Sequence, residues 1–305
     1  MAVQKIRDDL FLIDLDQALE GYRRFISAWV CRIEGATLII DPGPTSTIPH
    51  LVNQLKQCGI HQVDRVLLTH IHLDHAGGTG HLLRHFPEAR VNCHPKGIPH
   101  LLAPQKLWEG SKKVLGDVAD TYGEMAPVPE SNVSWSEGIP LDATTIEVFE
   151  TPGHAAHHVS YRVGDILFAG EVVGVYVPIE NGSYSRPATP PTFQYETFRD
   201  SITKVASLDV SIVCLGHYGC RRDVASVFQR AERQLDFWVD TVNRHLRAGA
   251  ASFEETVLTD LIANDPDMAG WPSLPKDIQA RERNFCYNSI RGIQGYLARA
   301  EGEKA

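Results

Sequence analysis

The stretch of sequence that decides the fold runs Thr69-His70-Ile71-His72-Leu73-Asp74-His75-Ala76-Gly77-Gly78. It directly follows Val63–Leu68, an apolar, β-branched run that predicts a strand. Three imidazoles and a carboxylate within six residues suit a borderline divalent metal ion. His70 and His72 alternate, so in an extended segment their side chains point the same way. Asp74 and His75 follow where the chain turns, and they can reach a second position nearby. The stretch therefore predicts a metal site at the end of a strand.

Three later segments each place one further metal-binding side chain at the end of a predicted strand. His154 ends the motif Thr-Pro-Gly-His, Glu171 ends Phe-Ala-Gly-Glu, and His217 ends Gly-His. Functional groups are commonly carried on loops that a rigid scaffold holds in place. Four segments of this kind predict one composite site at one edge of a sheet.

The composition limits the classes of function. The 305 residues are 43% hydrophobic and 22% charged, which predicts a globular chain with a substantial core. The net charge of −9 and the lack of a basic block disfavour binding to nucleic acid or to an anionic membrane. No apolar run is long enough to span a bilayer, and Met1–Leu10 contains no apolar segment of a secretory signal. We expect a cytoplasmic protein that acts on a small-molecule substrate, and the sequence leaves its oligomeric state open, a homodimer included.

The six cysteines are scattered and include no Cys-x-x-Cys pair. In a chain of this length they predict reduced, mostly buried thiols and not a disulfide framework. The remaining periodicity predicts short strands alternating with helices as far as residue 221, followed by helices only. Residues 1–221 are therefore predicted to form an α/β metal-binding domain, and 222–305 a helical extension packed on it. Two further expectations are a single amphipathic helix over Pro104–Tyr122 and a long loop over Tyr176–Tyr195.

With these motifs in this order, the chain resembles the metallo-β-lactamase-fold hydrolase superfamily over about residues 10–221. The segments Lys106–Gly110 and Asn288–Gly292 are similar to a prokaryotic subfamily with a C-terminal helical extension, a similarity that indicates no particular substrate. The resemblance implies an α/β (α+β) fold, a four-layer αβ/βα sandwich with two facing sheets, helices outside and two metal ions at one edge.

The resemblance also implies a ligand set. Carried over by position, the first metal ion would be held by His70, His72 and His154, and the second by Asp74, His75 and His217. Glu171 stands where the family usually has a bridging Asp. Because Glu is one methylene longer, the sequence leaves open whether Glu171 bridges two ions or whether the site is mononuclear. Zinc is the expected metal, with manganese or iron as alternatives.

Two residues beside the motifs have expected supporting roles. Asp41 ends a predicted strand, and the resemblance implies that it orients a histidine ligand from behind. His158, four residues after His154, is predicted to make a hydrogen bond in the core and not to bind metal. The pocket walls are expected from the loop Tyr176–Tyr195, the insert Leu101–Val128 and the last helix; the candidates are Tyr176, Tyr184, Arg186, Phe193, Tyr195, Trp108, Arg283, Tyr287, Arg291 and Tyr296.

The resulting functional prediction is a metal-dependent hydrolase in which a metal-bound hydroxide attacks an ester-like bond. Thioesters, lactones and related acyl compounds are the expected substrates, and phosphodiesters are less favoured because the chain is acidic. Asp74 would hold the nucleophile and accept its proton, and Tyr176, Tyr184 or Tyr218 would donate to the developing oxyanion. Two alternatives stay open: a mononuclear iron persulfide dioxygenase on the same fold, and a non-catalytic binding protein stabilised by metal.

Overall fold

The structure is a computed structural model that describes residues 3–180 and 182–302. Among these residues the strands are β1 (Val3–Arg7), β2 (Leu10–Asp14), β3 (Ser27–Ile33), β4 (Ala36–Ile40), β5 (Arg65–Leu67), β6 (Arg90–Asn92), β7 (Val133–Ser134), β8 (Gly138–Pro140), β9 (Thr145–Glu150), β10 (Val159–Val163), β11 (Ile166–Gly170), β12 (Val175–Ile179), β13 (Gly182–Arg186), β14 (Ile212–Leu215) and β15 (Cys220–Arg221).

The helices alternate with these strands and then continue alone. They are α1 (Ile48–Gln57), α2 (Leu73–Ala76), α3 (Thr79–Leu83), α4 (Ile98–Leu102), α5 (Gln105–Leu115), α6 (Asp117–Tyr122), α7 (Tyr195–Ala206), α8 (Val224–Arg247), α9 (Phe253–Asn264) and α10 (Lys276–Gly302). Single 3-10 turns lie at Thr45–Thr47, Glu130–Asn132, Pro266–Met268 and Trp271–Ser273.

Two sheets form the centre of the fold. The first has the order β1 to β7, antiparallel as far as β4 and parallel from β4 to β7. The second has the order β15-β14-β11-β10-β9-β8, with β11 and β14 parallel. Because the carboxyl ends of parallel strands lie at one edge of a sheet, the segments after β4, β5, β11 and β14 can converge.

Alternating side chains along the strands separate three hydrophobic cores. One lies between the sheets, where Leu12, Trp29 and Leu67 of the first sheet pack with Tyr161 and Phe168 of the second. A second core covers the outer face of the first sheet with helices α1 to α6, and a third covers the outer face of the second sheet with α7 to α10. The predicted four-layer αβ/βα sandwich is confirmed.

The helical extension packs on the second sheet and on itself. The last strand ends at Arg221 and α8 begins at Val224, and the apolar faces of α8, α9 and α10 meet around Trp238 and Ile290, which are fully buried. Near the start of α10, Arg281 donates a hydrogen bond to the carbonyl oxygen of Gly21 (2.6 Å), in the loop between β2 and β3. The division into residues 1–221 and 222–305 stays a prediction.

Two local expectations were wrong. The expected loop Tyr176–Tyr195 contains an antiparallel ribbon of β12 and β13, which pair from Val175 with Arg186 to Ile179 with Gly182. The expected single helix over Pro104–Tyr122 is divided into α5 and α6 at Gly116, which has a positive φ of 55°. That backbone conformation cannot continue a right-handed helix.

Among the described residues, none of the helices combines the length and the apolar character needed to cross a membrane.

Candidate metal centre

The predicted site residues meet at one edge of the sandwich, beyond the carboxyl ends of β4, β5, β11 and β14. Two groups of side chains there are close enough to hold a metal ion, each with its ligand atoms within 4.8 Å of one another. The first group is His70, His72, His154 and Glu171, and the second is Asp74, His75 and His217. The structure thus brings together all seven residues that the sequence proposed as ligands.

The histidine stretch leaves β5 as an extended segment and then forms the short helix α2. His72 is extended (φ −61°, ψ 153°), and α2 places Asp74 and His75 in a single helical turn. Gly78, which precedes α3, has an ordinary right-handed backbone (φ −84°), so no turn requires glycine there. A Cβ at Gly78 would lie 2.4 Å from the Ile48 side chain, so glycine is required there for close packing against α1.

In the first group, a ring nitrogen of each histidine is directed toward the centre. The Nδ1 of His154 lies 3.1 Å from the carbonyl oxygen of Ala188, so it carries the proton and leaves Nε2 as the metal-binding atom. That Nε2 lies 3.0 Å from Nδ1 of His72. Nε2 of His70 is buried and has no hydrogen-bond partner. Three imidazole nitrogens therefore converge on one point.

The second group depends on a buried carboxylate behind it. Asp41 accepts hydrogen bonds from the backbone N–H (2.8 Å) and hydroxyl (2.6 Å) of Thr69, and its Oδ2 lies 3.0 Å from Nδ1 of His75. This contact fixes the proton of His75 on Nδ1 and leaves its Nε2, which has no other partner, toward Asp74 and the centre. Asp41 has a φ of 51°, a left-handed conformation that Asp tolerates better than most residues.

Glu171 lies between the two groups. Its Oε2 is 2.6 Å from Nε2 of His154 in the first group, and its Oε1 is 2.5 Å from Nε2 of His217 in the second. The backbone before it is tightly constrained, because Gly170 has a φ of 59° and a Cβ there would lie 2.3 Å from Nε2 of His158. From this fixed backbone position, the Glu171 side chain contacts one histidine in each group.

Burial and neighbouring charges shift the site's pKa values in opposite directions. Burial, followed by the neighbouring histidines, holds the pKa values of His70 and His72 well below their usual range, so both imidazoles are neutral and can bind metal. Burial opposes protonation of His75 as well, but the carboxylates of Asp74 and Asp41 outweigh it and raise its pKa to about 9, so a metal ion that binds Nε2 would displace a proton from it. Burial would raise the pKa of Glu171, yet the adjacent His154 and His217 lower it well below its usual range.

The residues present fit divalent metal ions. The Nε2 atoms of His70 and His75 are buried without hydrogen-bond partners, although buried polar atoms are normally satisfied. The close approach of His154 Nε2 to His72 Nδ1 adds a pair of acceptors that a cation between them would satisfy. Imidazole and carboxylate are donors that zinc, manganese and iron all accept.

The supporting residues match the sequence-based roles in part. His158 accepts a hydrogen bond from the backbone N–H of Glu171 (3.0 Å), and its Nδ1 lies 3.0 Å from the carbonyl oxygen of Thr151, so it holds the loop of Glu171 from the core. The three tyrosines suggested as oxyanion donors have other partners: Tyr176 contacts Arg221, Tyr184 contacts Cys286, and Tyr218 contacts Gln4 and Arg24.

The wall predictions on α10 selected the side of the helix that faces away. Arg283 and Tyr287 contact Glu255, and Arg291 contacts Glu254, both at the start of α9. The residues of α10 on the side of the site are Arg281 and Phe285, which the sequence pattern did not indicate. Both pack against Phe25, whose ring stacks on His217 at a centroid distance of 4.2 Å.

The comparisons with known proteins agree with this fold and site. A family profile described as the metallo-beta-lactamase superfamily matches residues 21–217, and the chain belongs to this superfamily of metal-binding hydrolases. Among its relatives, a metallo-beta-lactamase fold-containing protein of Sulfurisphaera tokodaii is 31% identical over 194 residues, which cover 61% of this chain and 70% of the relative. The hydroxyacylglutathione hydrolase of Aeromonas salmonicida is 27% identical over 62% of this chain, and the match spans only 60% of that enzyme.

Solved structures show the same fold at low identity. An archaeal metallo-beta-lactamase superfamily protein from Sulfolobus tokodaii superposes with a TM-score of 0.67 at 24% identity, over 93% of this chain and 98% of the other. A metallo-beta-lactamase family protein from Thermus thermophilus gives a TM-score of 0.68 at 18% identity, over 97% of this chain and 95% of the other. Since both matches cover nearly the whole chain, the likeness includes the helical extension.

Proposed function

We propose that this protein uses two divalent metal ions to hydrolyse an acyl bond, with thioesters and lactones as the principal substrate classes. The observation that carries the proposal is the position of Glu171. Its two carboxylate oxygens contact histidines of two different ligand groups, at 2.6 and 2.5 Å. A carboxylate shared in this way supports a two-ion centre, the arrangement in which metal-assisted hydrolysis stabilises both the attacking and the leaving oxygen.

The assignment of ligands follows the two groups. We assign His70, His72 and His154 to the first ion; Asp74, His75 and His217 to the second; and Glu171 to both. When bound, such ions acidify a water molecule and polarise the oxygen of the bond to be cleaved. Three imidazoles in one group favour zinc, and manganese and iron are the alternatives.

Asp74 is the proposed proton acceptor. Its side chain is 18% exposed, whereas the side chains of Glu171 and Asp41 are 6% and 4% exposed. Among these three carboxylates it is therefore the one that water or a substrate reaches most easily. Its Oδ2 lies 3.8 Å from Nε2 of His75, which places the carboxylate beside the second ligand group. From there Asp74 can orient an attacking water by hydrogen bonding and accept its proton.

The remaining residues of the centre keep its geometry fixed. Asp41 holds the proton of His75 on Nδ1, Ala188 does the same for His154 through its carbonyl oxygen, and His158 holds the backbone of Glu171. Because these supports are buried, the ligand atoms are positioned before substrate arrives, which reduces reorganisation during reaction.

An acyl substrate is preferred for two reasons. The chain is acidic overall, with a net charge of −9, which disfavours polyanionic nucleic-acid substrates. Several relatives at about 27% identity are hydroxyacylglutathione hydrolases, which act on an acylated thiol compound. An acyl group bound to sulfur is accordingly the first substrate class to test.

The test is turnover of a panel of thioesters, lactones and phosphodiesters by protein loaded with zinc or manganese. We expect thioester or lactone hydrolysis, and we expect Asp74→Asn to lower kcat about 10²- to 10⁴-fold, the usual contribution of a positioned acid–base group. The matched control is Asp117→Asn, which alters a carboxylate at the start of α6 and should leave kcat unchanged. Full activity of Asp74→Asn on a confirmed substrate would contradict the proposed role.

A further inference from the structure

A cavity of about 280 Å³ lies between the loop that precedes β3, strand β12 and the beginning of α10. Its wall has two parts. Val177, Ile179, Leu274 and Ile278 give it an apolar side, and Arg23, Arg24 and Arg281 bring three guanidinium groups to it. The volume is close to the lower end of the range for small-molecule sites, which commonly combine an apolar lining with a few placed polar groups.

The positive charge of this cavity is only partly neutralised. Arg23 pairs with Asp277, and the exposed Glu180 is an acidic residue on the wall. The guanidinium of Arg24 instead donates to the hydroxyl of Tyr218 (3.1 Å) and lies over its ring. In the part of the chain that the structure describes, no carboxylate lies within 4.0 Å of the Arg24 side-chain nitrogens.

A buried ion cluster adds to this charge. Arg281 and Arg186 share one carboxylate, that of Glu282, with N–O distances of 2.8 and 2.6 Å. All three side chains are almost completely inaccessible to solvent. Two guanidinium groups on one carboxylate leave an excess positive charge, and an excess charge away from water favours an anion nearby.

The backbone of Arg24 is a second, independent observation. Its φ is 48°, in the left-handed region that glycine or asparagine usually occupies. The backbone N–H of Arg24 donates a hydrogen bond to the Asp16 carboxylate (2.5 Å), which holds the loop in this conformation. Strain of this kind is common where a side chain serves a binding site.

The cavity lies beside the metal centre, and the ring of Phe25 contacts residues of both. The ring of Phe25 has the imidazole of His217 at 4.2 Å and the guanidinium carbon of Arg281 at 3.9 Å from its centre. Two groups this close to one ring occupy its opposite faces. Tyr218, which lines the cavity, also follows His217 directly in the chain. The cavity therefore lies close to His217, a proposed metal ligand.

We propose that this cavity binds the carboxylate end of the substrate, and that the substrate is a short aliphatic acyl compound with a carboxylate remote from the bond that is cleaved. The proposal rests on the acyl hydrolysis proposed above. Arg24 takes the carboxylate, because a guanidinium matches it in charge and in planar geometry, and the buried Arg281 adds its positive charge to the wall. Val177, Ile179 and Leu274 cover the aliphatic part.

The first test measures binding and needs no turnover. Hexanoate and its neutral analogue hexanamide are titrated calorimetrically into metal-loaded protein, as wild type, Arg24→Gln, Arg24→Lys and Arg84→Gln. We expect hexanoate to bind about tenfold more tightly than hexanamide, a ratio typical of a charge-assisted hydrogen bond. Arg24→Gln should abolish this preference and Arg24→Lys should keep part of it. Arg84→Gln, which changes an exposed arginine on another face, should keep all of it.

Equal binding of the two probes, or a preference that survives in Arg24→Gln, would overturn the inference. Displacement of hexanoate by an equal concentration of sulfate would overturn the aliphatic part, because it would reduce the site to one for any small anion.

The second test separates this inference from the proposed function. The mono-4-nitrophenyl ester of adipic acid and 4-nitrophenyl hexanoate have acyl chains of equal length and differ in the terminal carboxylate. We expect a KM about tenfold lower for the adipate ester, and a rise in that KM alone, at constant kcat, in Arg24→Gln. Equal KM values would overturn the inference and leave the hydrolase proposal intact. Hydrolysis of neither ester and of no member of the thioester and lactone panel, combined with charge-selective binding, would overturn the hydrolase proposal and leave the cavity assignment intact.

Discussion

The substitution Asp41→Asn tests whether the buried carboxylate behind His75 controls the second ligand group. Asp41 accepts three hydrogen bonds, two from Thr69 and one from Nδ1 of His75. An asparagine keeps the shape and tolerates the left-handed backbone (φ 51°), so the loop can fold as before. Its amide nitrogen, however, cannot accept a hydrogen bond from the Thr69 hydroxyl or from His75.

The expected effect follows from the tautomer of His75. Without an acceptor at Nδ1, the imidazole shifts its proton to Nε2, which is the nitrogen that faces Asp74. A protonated nitrogen cannot bind metal. Loss of such a supporting group costs 10- to 100-fold in metal affinity, or about 1.4–2.8 kcal/mol. The first group has its own support at His154 and should keep its affinity.

The measurement is competitive metal binding against a chromogenic chelator, which resolves two affinities per chain. In Asp41→Asn we expect one of the two affinities to fall 10- to 100-fold and the other to change by less than a factor of about three. The control is Asp64→Asn, which removes a carboxylate that accepts a backbone hydrogen bond from Thr37 (2.8 Å) at the opposite end of the first sheet. Unchanged metal affinities in Asp41→Asn, or an equal loss in Asp64→Asn, would refute the reasoning.

Two further predictions concern stability. Burial opposes ionisation of Glu282, but Arg186 and Arg281 outweigh it and lower its pKa to about 2; its stabilising contribution is therefore present above its usual pKa of 4.5 and is lost as the pH falls through about 2. Glu282→Gln should lower the free energy of unfolding by about 3–5 kcal/mol at pH 7 and by much less near pH 2, which urea unfolding at several pH values would detect. Gly170→Ala should destabilise the protein more than Gly164→Ala. Both glycines have φ near 58°, but only at Gly170 would the new Cβ collide with His158, and equal unfolding midpoints would contradict this explanation.

Much of the site could be predicted because its residues are local in sequence or lie at strand ends. The alternation of His70 and His72 is a property of extended backbone, and the positions of His154, Glu171 and His217 follow from where strands stop. The sequence could not show that Glu171 reaches both groups. That outcome depends on the left-handed backbone of Gly170 and on its packing against His158, which lie together only after two strands have paired.

The cavity residues were missed for a reason of helical geometry. Arg281 and Arg283 are two residues apart, which places them about 200° apart around α10. Arg283 faces the glutamates of α9, whereas Arg281 faces Phe25. Because charged residues lie on both sides of this helix, the sequence pattern does not distinguish its buried side from its exposed side. The ribbon of β12 and β13 was missed because Pro178 interrupts the first strand and Gly182 begins the second. Both residues weaken a strand pattern, and the ribbon packs closely on Gly270.

The measurement that tests the central claim most directly is the metal content of protein purified without added metal, determined by elemental analysis per chain. We expect two divalent ions per chain, zinc above all, and a fall toward one ion in Glu171→Gln, because the amide cannot bind an ion in each group. One ion per chain in the wild type, unchanged in Glu171→Gln, would contradict a shared two-ion centre. If that single ion were iron and the protein consumed oxygen with a persulfide, the dioxygenase hypothesis would replace the hydrolase.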